Sequence, residues 1–269
     1  MNPYAEIRKV PLDYNGIQSS AYSVQYQKED KWSEVGVVGN NYMLLPNKEV
    51  RDAATEVANA SSIDFTHDKT FFDGRRFVYS LKSDKVIGDV NKGHDLALGM
   101  QFWNSYDGSK SFGFSMMLYR LICTNGMMSK MFFSNFRFKH EPNSEGWEEN
   151  LNNVIESIDN IANSPGTGNM SAFLSSLRAL NELNITTSVL GKIRHRYLSD
   201  IPVGTWGTIL DRFTLPKNAD FNPATGVNGN TGWGVLNSAT DILWHKEKPT
   251  MATYNQNASI VDRLCRAVA

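Results

Sequence analysis

Two short polar segments carry most of the side chains that could do chemistry in this chain. In Asn104-Ser105-Tyr106-Asp107-Gly108-Ser109, a carboxylate stands between hydroxyls in a turn that joins two strongly patterned runs. In Arg120-Leu121-Ile122-Cys123-Thr124-Asn125-Gly126-Met127, a guanidinium and a thiol precede a second turn signal. Arg120 offers a rigid fork of donors suited to a carboxylate or phosphate. Cys123 becomes a nucleophile only where a base or a positive field lowers its pKa, and no histidine adjoins it in sequence. Asp107, Arg120, Cys123 and His245 are therefore the catalytic candidates, and an enzyme would have to bring them into one cleft. The structural alternative is a pair of rigid hairpin turns, a core cysteine and an internal Arg120–Asp107 salt bridge. In that reading Asn104, Gly108, Asn125 and Gly126 are turn residues, with Gly108 free to take positive φ and Asn125-Gly126 closing a tight turn.

A second chemistry is suggested by basic residues near aromatic ones. Arg75 and Arg76 follow a hairpin signal, Lys130, Arg137 and Lys139 surround Phe132–Phe138, and Lys192, Arg194 and Arg196 make the most basic short stretch. Phosphates call for Lys and Arg, and splayed bases call for exposed rings, for which Tyr106 and Tyr197 are the candidates. Against this, the net charge is -1, so no global positive field draws in nucleic acid and a local patch would have to suffice.

Cofactor chemistry finds little support. The chain has no GxxxxGK[ST] loop, no GxGxxG after a strand, no HExxH and no GxSxG. Its five histidines are scattered, and Asp64, His67 and Asp68 read better as a solvated turn than as a metal site. No cofactor and no metal are expected. The two cysteines, Cys123 and Cys265, cannot form a framework of bridges, and reduced thiols suit a cytoplasmic protein. No apolar run is long enough for a membrane span, and the first residues do not form a leader, so cytoplasmic residence is the expectation.

The elements that must position these groups read as α+β. Hydrophobic residues make up 41% of 269 residues, enough for a core without staples. Residues 1–34 have weak periodicity and read as an irregular arm or an edge strand. Val35–Val38 and Tyr42–Leu45 look like short strands, and Asn47 reads as the cap of a helix burying Val50, Ala53, Ala54, Val57 and Ala58. Phe71-Phe72 and Phe77–Leu81 flank Asp73-Gly74, a hairpin signal. Leu96–Phe102 and Phe112–Leu118 alternate with period two and predict antiparallel neighbours. Apolar stripes follow over Trp147–Ile161, Phe173–Leu180, Trp233–Leu243 and Ala258–Cys265, while residues 202–230 are rich in Gly, Pro and Asn, with Leu215-Pro216 and Asn222–Asn230 reading as exposed loops. The expected organisation is an arm over 1–34, a β-rich half over 35–141 and a mainly helical half over 142–269, packed around one principal core as a central antiparallel sheet backed by helices.

Three blocks carry a resemblance: Asn104–Ser109, Arg120–Gly126, and Gly232–Thr240 with His245. They resemble a phage- and plasmid-encoded family of unknown function, over about Val35 to His245. The family blocks fall here on Asn104, Asp107, Gly108, Arg120, Cys123, Asn125, Gly126, Trp233, Asn237 and His245. The resemblance implies a mobile-element origin and life in a bacterial cytoplasm, and it brings no reaction with it. The leading expectation is an accessory protein that binds single-stranded DNA in recombination or maintenance, acting as a homo-oligomer. A factor that engages a bacterial host protein comes second, and an enzyme built around Asp107 and Arg120 third.

Overall fold

The structure is a computed structural model, and it describes residues 1–90, 95–121, 125–128, 135–140, 147–164, 167–214, 230–244 and 251–267. The fold is α+β. A three-stranded antiparallel sheet joins β1 (Ile7–Tyr14), β2 (Ile17–Lys28) and β3 (Lys31–Gly39) in that order. A six-stranded sheet runs β4 (Thr66–Phe72), β5 (Arg76–Asp89), β6 (Asp95–Ser105), β7 (Phe112–Arg120) and β8 (Asn125–Met128), with β9 (Asn135–Phe138) also paired to β7. The helices are α1 (Asn47–Ala60), α2 (Trp147–Asn163), α3 (Gly168–Glu182), α4 (Thr187–Tyr197), α5 (Val203–Thr214), α6 (Gly232–Trp244) and α7 (Met251–Arg266).

The chain divides into two compact units. The first comprises Met1–Lys82, Met100–Ser115 and Asn135–Asp159, the second Ser83–Gly99, Met116–Ser134 and Asn160–Ala269. Strands β5, β6 and β7 contribute residues to both.

In the opening segment, read as an irregular arm or an edge strand, residues 7–28 form two long strands, with β1 at the edge of its sheet. Asn15 and Gly16, at φ 51 and 77, make a two-residue hairpin between the paired Tyr14 and Ile17. Periodicity was weak there because only one face packs: Val24 and Tyr26 join Val35, Val38 and Tyr106 in a core cluster. Tyr42–Leu45, read as a strand, is irregular, because its backbone is taken up elsewhere. Lys9 Nζ donates to the Tyr42 carbonyl, His140 exchanges bonds with Met43, and Asn104 donates to the Leu45 carbonyl.

The predicted hairpins hold. Phe72 pairs with Phe77 across Asp73-Gly74, and Gly74 sits at φ 95. Strands β6 and β7 are neighbours joined by residues 106–111, a connection so short that they must run antiparallel. At the next hairpin the reading needs correcting. Arg120 pairs with Asn125 and Tyr119 with Gly126, so Asn125-Gly126 begin strand β8 rather than close the turn.

In the second unit, α6 starts where the sequence indicates, with Thr231 Oγ1 accepting from the Gly234 amide. Helix α5 forms at the start of the Gly-, Pro- and Asn-rich stretch 202–230, because Trp206, Ile209 and Phe213 recur at helical spacing and are buried; Leu215-Pro216 and, but for Asn230, the Asn222–Asn230 loop lie outside the described residues. Helices α6 and α7 pack on each other and on β8.

Candidate functional site

The Asn104–Ser109 segment closes one end of the six-stranded sheet in the first unit, and its side chains point inward more than outward. Asn104 is buried, and its Nδ2 donates to the Leu45 carbonyl at 2.8 Å and to Asn47 Oδ1 at 3.0 Å. Asn47 in turn donates from Nδ2 to the Pro3 carbonyl at 3.0 Å, and its backbone N–H reaches the Tyr106 hydroxyl at 2.8 Å. Asn47 is therefore no helix cap. Pro46 holds the cap position of α1, and the Asn47 side chain ties the N-terminal residues to β6. Ser105 Oγ both accepts from the Lys110 amide and donates to the Lys110 carbonyl, which zips the loop shut. The Tyr42 hydroxyl donates to the Ser105 carbonyl at 2.6 Å, and burial pushes its pKa up to about 12.

Tyr106 is 1% exposed, with its hydroxyl engaged by Asn47. That corrects its role as a stacking platform: its ring belongs to the core beside Phe72. Asp107 accepts from the Ser109 amide at 2.9 Å, a local turn bond, and Gly108 takes the predicted positive φ of 69. A Cβ on Gly36 would lie 2.6 Å from Asp107 Cα, so β3 and this loop meet backbone to backbone.

Around this closed network, cationic side chains collect at the same sheet end. The β4–β5 turn brings Arg75 and Arg76, whose amides donate to Asp73 Oδ1, and Arg76 Nε donates to Ser109 Oγ at 3.0 Å. The Arg75 carbonyl accepts from the Tyr106 amide, which fixes the turn beside the loop. Lys110 follows the loop directly. Pairing of Phe112 with Phe138 and Gly113 with Arg137 sets the end of β9 beside the start of β7, so Arg137 and Lys139 come to the same end. Arg75, Arg137 and Lys139 are exposed.

A cavity of about 410 Å³ lies between α1 and the end of β9 in this unit, a volume within the usual range for small-molecule sites. Leu45, Ala53, Phe112 and Phe138 form its apolar lining, Glu49, Asp52 and Glu56 come from one face of α1, and Lys139 and His140 from the chain after β9. The Phe112 and Phe138 rings stack at 5.6 Å. His140 is 7% exposed, stacked on Tyr42 at 4.5 Å, with Nδ1 at 2.9 Å from the Met43 carbonyl. A carbonyl only accepts, so Nδ1 carries the proton. Burial lowers the pKa of His140 despite the nearby Met43 and Lys110 backbone groups, which favour the charged ring. The ring is then neutral near pH 7, and its buried Nε2 makes no hydrogen bond among the described residues.

The sequence did not point to this cavity. The acidic row at i, i+3 and i+7 was visible as the polar face of a helix whose apolar face was legible, yet such a row is ordinarily solvated. Only the pairing of β9 with β7 puts aromatic rings opposite it.

In the second unit the basic stretch lies on α4. Lys192 and Arg196 are exposed, and the Arg196 guanidinium stands 5.5 Å above the half-buried Tyr197 ring. Arg194 is a correction: it faces inward, donating to the Ile201 carbonyl at 2.5 Å and lying 5.5 Å from the Trp206 ring, so it braces the α4–α5 turn. Trp233 and Asn237 are buried in α6, where Asn237 Nδ2 donates to the Trp233 carbonyl. Cys265 is buried, and burial pushes its thiol up to about 12. Cys123, Lys130 and His245 lie outside the described residues, as do the side chains of Arg120, Asn125 and Gly126. Among the described residues, no group of three or more His, Cys, Asp or Glu could hold a metal ion, and His67 meets Thr70 Oγ1 at 2.9 Å. No described helix is long and apolar enough to cross a membrane.

A family model described as a domain of unknown function, DUF932, covers residues 34–265. No curated protein and no solved structure matches the chain.

Proposed function

The chain belongs to the DUF932 family, and within that family we propose that it is a phage- or plasmid-type accessory protein that binds DNA, single-stranded DNA in preference. The observation that carries this reading is the convergence at one sheet end of Arg75, Arg76, Lys110, Arg137 and Lys139, drawn from three separate stretches of sequence. Two of the acids near that end, Asp73 and Asp107, each have one oxygen engaged by backbone amides. Asp73 Oδ1 is turned to the amides of Arg75 and Arg76, and Asp107 Oδ1 to that of Ser109. Such a surface is suited to the phosphate backbone and carries no sequence information.

The single-strand preference is supported by the second unit, described by itself. Lys192, His195, Arg196 and the small residues Ser188 and Gly191 line a shallow surface depression beside Tyr197. Cations for phosphates and a partly open ring for a base are the two ingredients of sequence-tolerant single-strand contact.

The test is fluorescence anisotropy with labelled single- and double-stranded oligonucleotides across a salt series. Four phosphate contacts would give a log-log slope of about -3 on single strands. Arg75→Ala and Arg137→Ala should each flatten that slope by roughly one contact's share. Absence of binding at low salt, or binding indifferent to salt, overturns the proposal.

A further inference from the structure

We propose that the cavity between α1 and β9 is a binding site for a small organic cation, a protonated amine or amidine carried on a flat apolar body. The apolar half of the argument is the lining. Leu45, Ala53 and the stacked Phe112 and Phe138 rings offer a dry surface of ring faces and aliphatic carbon, which holds a flat group and favours a cation placed over a ring.

The polar half is that the described lining is rich in acceptors. Glu49, Asp52 and Glu56 are carboxylates, and His140 has its Nδ1 proton committed to Met43, with Nε2 buried near the Lys110 backbone and in no hydrogen bond of good geometry among the described residues. Lys139 is the one side chain of opposite charge among the described lining residues. A ligand that fits must therefore donate, and a positive charge suits it better than a neutral group. Asp52 already holds Arg51 at 2.7 Å, so Glu49 and Glu56 are the carboxylates with most to gain.

The spacing argues against a metal ion. Residues 49 and 56 are two helical turns apart, roughly 10 Å along the axis, too far for both to reach one ion but well placed along an extended organic molecule. This inference does not depend on DNA binding, because it uses the carboxylates of α1 and the rings of the cavity; Lys139 alone belongs to both surfaces.

The experiment is isothermal titration calorimetry of the full chain with three isosteric probes: phenethylamine, 2-phenylethanol and phenylacetate. The ammonium probe should bind at least about tenfold more tightly than the alcohol, a difference of ~1.4 kcal/mol, and the carboxylate should not bind. Glu49→Gln with Glu56→Gln should bring amine and alcohol to within about threefold of each other. Both residues are exposed, so the variant keeps its fold, which circular dichroism checks. Phe138→Ala should weaken amine and alcohol alike. Equal binding of amine and alcohol, no binding of any probe, or an amine affinity unmoved by the double variant overturns the proposal.

Discussion

Tyr106→Phe separates a core tyrosine from a ligand-facing one in a single atom. The Tyr106 hydroxyl accepts the backbone N–H of Asn47 at 2.8 Å, and both residues are 1% exposed. Removing the oxygen leaves a buried N–H without its acceptor, at a cost of about 1–3 kcal/mol. The ring keeps its shape, so no cavity penalty accompanies the change beyond the oxygen itself. For a chain of this size about 2 kcal/mol corresponds to roughly 4–8 °C in Tm. Tyr42→Phe is the matched control. It removes a donor to the Ser105 carbonyl, and a carbonyl has a second lone pair and tolerates the loss better, so the expected cost is about 0.5–1.5 kcal/mol. Differential scanning calorimetry reads both, and oligonucleotide anisotropy on the folded Tyr106→Phe protein should match the parent. An unchanged Tm, or intact stability with weakened DNA binding, would show that the ring and its hydroxyl face a ligand and would refute the network described for Asn47, Asn104 and Tyr106.

Gly36→Ala should be worse than most surface changes, losing about 1–3 kcal/mol by chemical denaturation, because the new Cβ would lie 2.6 Å from Asp107 Cα and backbone must move; a neutral result would mean that β3 and the loop are not in contact. His140 has a folded pKa below the ordinary 6.5, so below that value the unfolded chain takes up a proton that the folded one refuses. Its contribution is complete above the ordinary pKa and is lost as pH falls through the folded one. Melting temperature should therefore drop as pH is lowered from 7 toward 5, and His140→Gln should remove part of that drop; a slope identical in the variant counts against a buried neutral ring. Cys265, buried and with its thiol pushed up to about 12, should resist alkylation at pH 8 in a Cys123→Ser background until denaturant is added, and mass spectrometry showing rapid native labelling would contradict its burial.

Much of the fold was written in local pattern. Period-two alternation named β6 and β7, helical stripes named α2, α3, α6 and α7, and Asp73-Gly74 named its hairpin, because each signal depends on residues close in sequence facing one core. Asn15-Gly16 was as clear a hairpin signal, but the strands beside it bury only one face and their polar positions masked the period. The loop Asn104–Ser109 was legible as a rigid turn, and Gly108 takes the backbone its type implied.

What sequence could not decide was direction and company. Tyr106 and Arg194 have the chemistry of ligand contacts, yet one is held by the Asn47 amide and the other by the Ile201 carbonyl. Those partners are distant or irregular backbone groups, and no local pattern encodes an acceptor from across a fold. The same holds for the cavity: α1 supplies carboxylates, β7 and β9 supply rings, and only strand pairing sets one against the other. Residue type thus determined that the chain has two polar turns and several basic clusters. Tertiary structure determined that the first turn is a brace, that Arg75, Arg76, Lys110, Arg137 and Lys139 share one sheet end, and that a cavity lies beside Lys139, because burial and pairing join segments the sequence holds far apart.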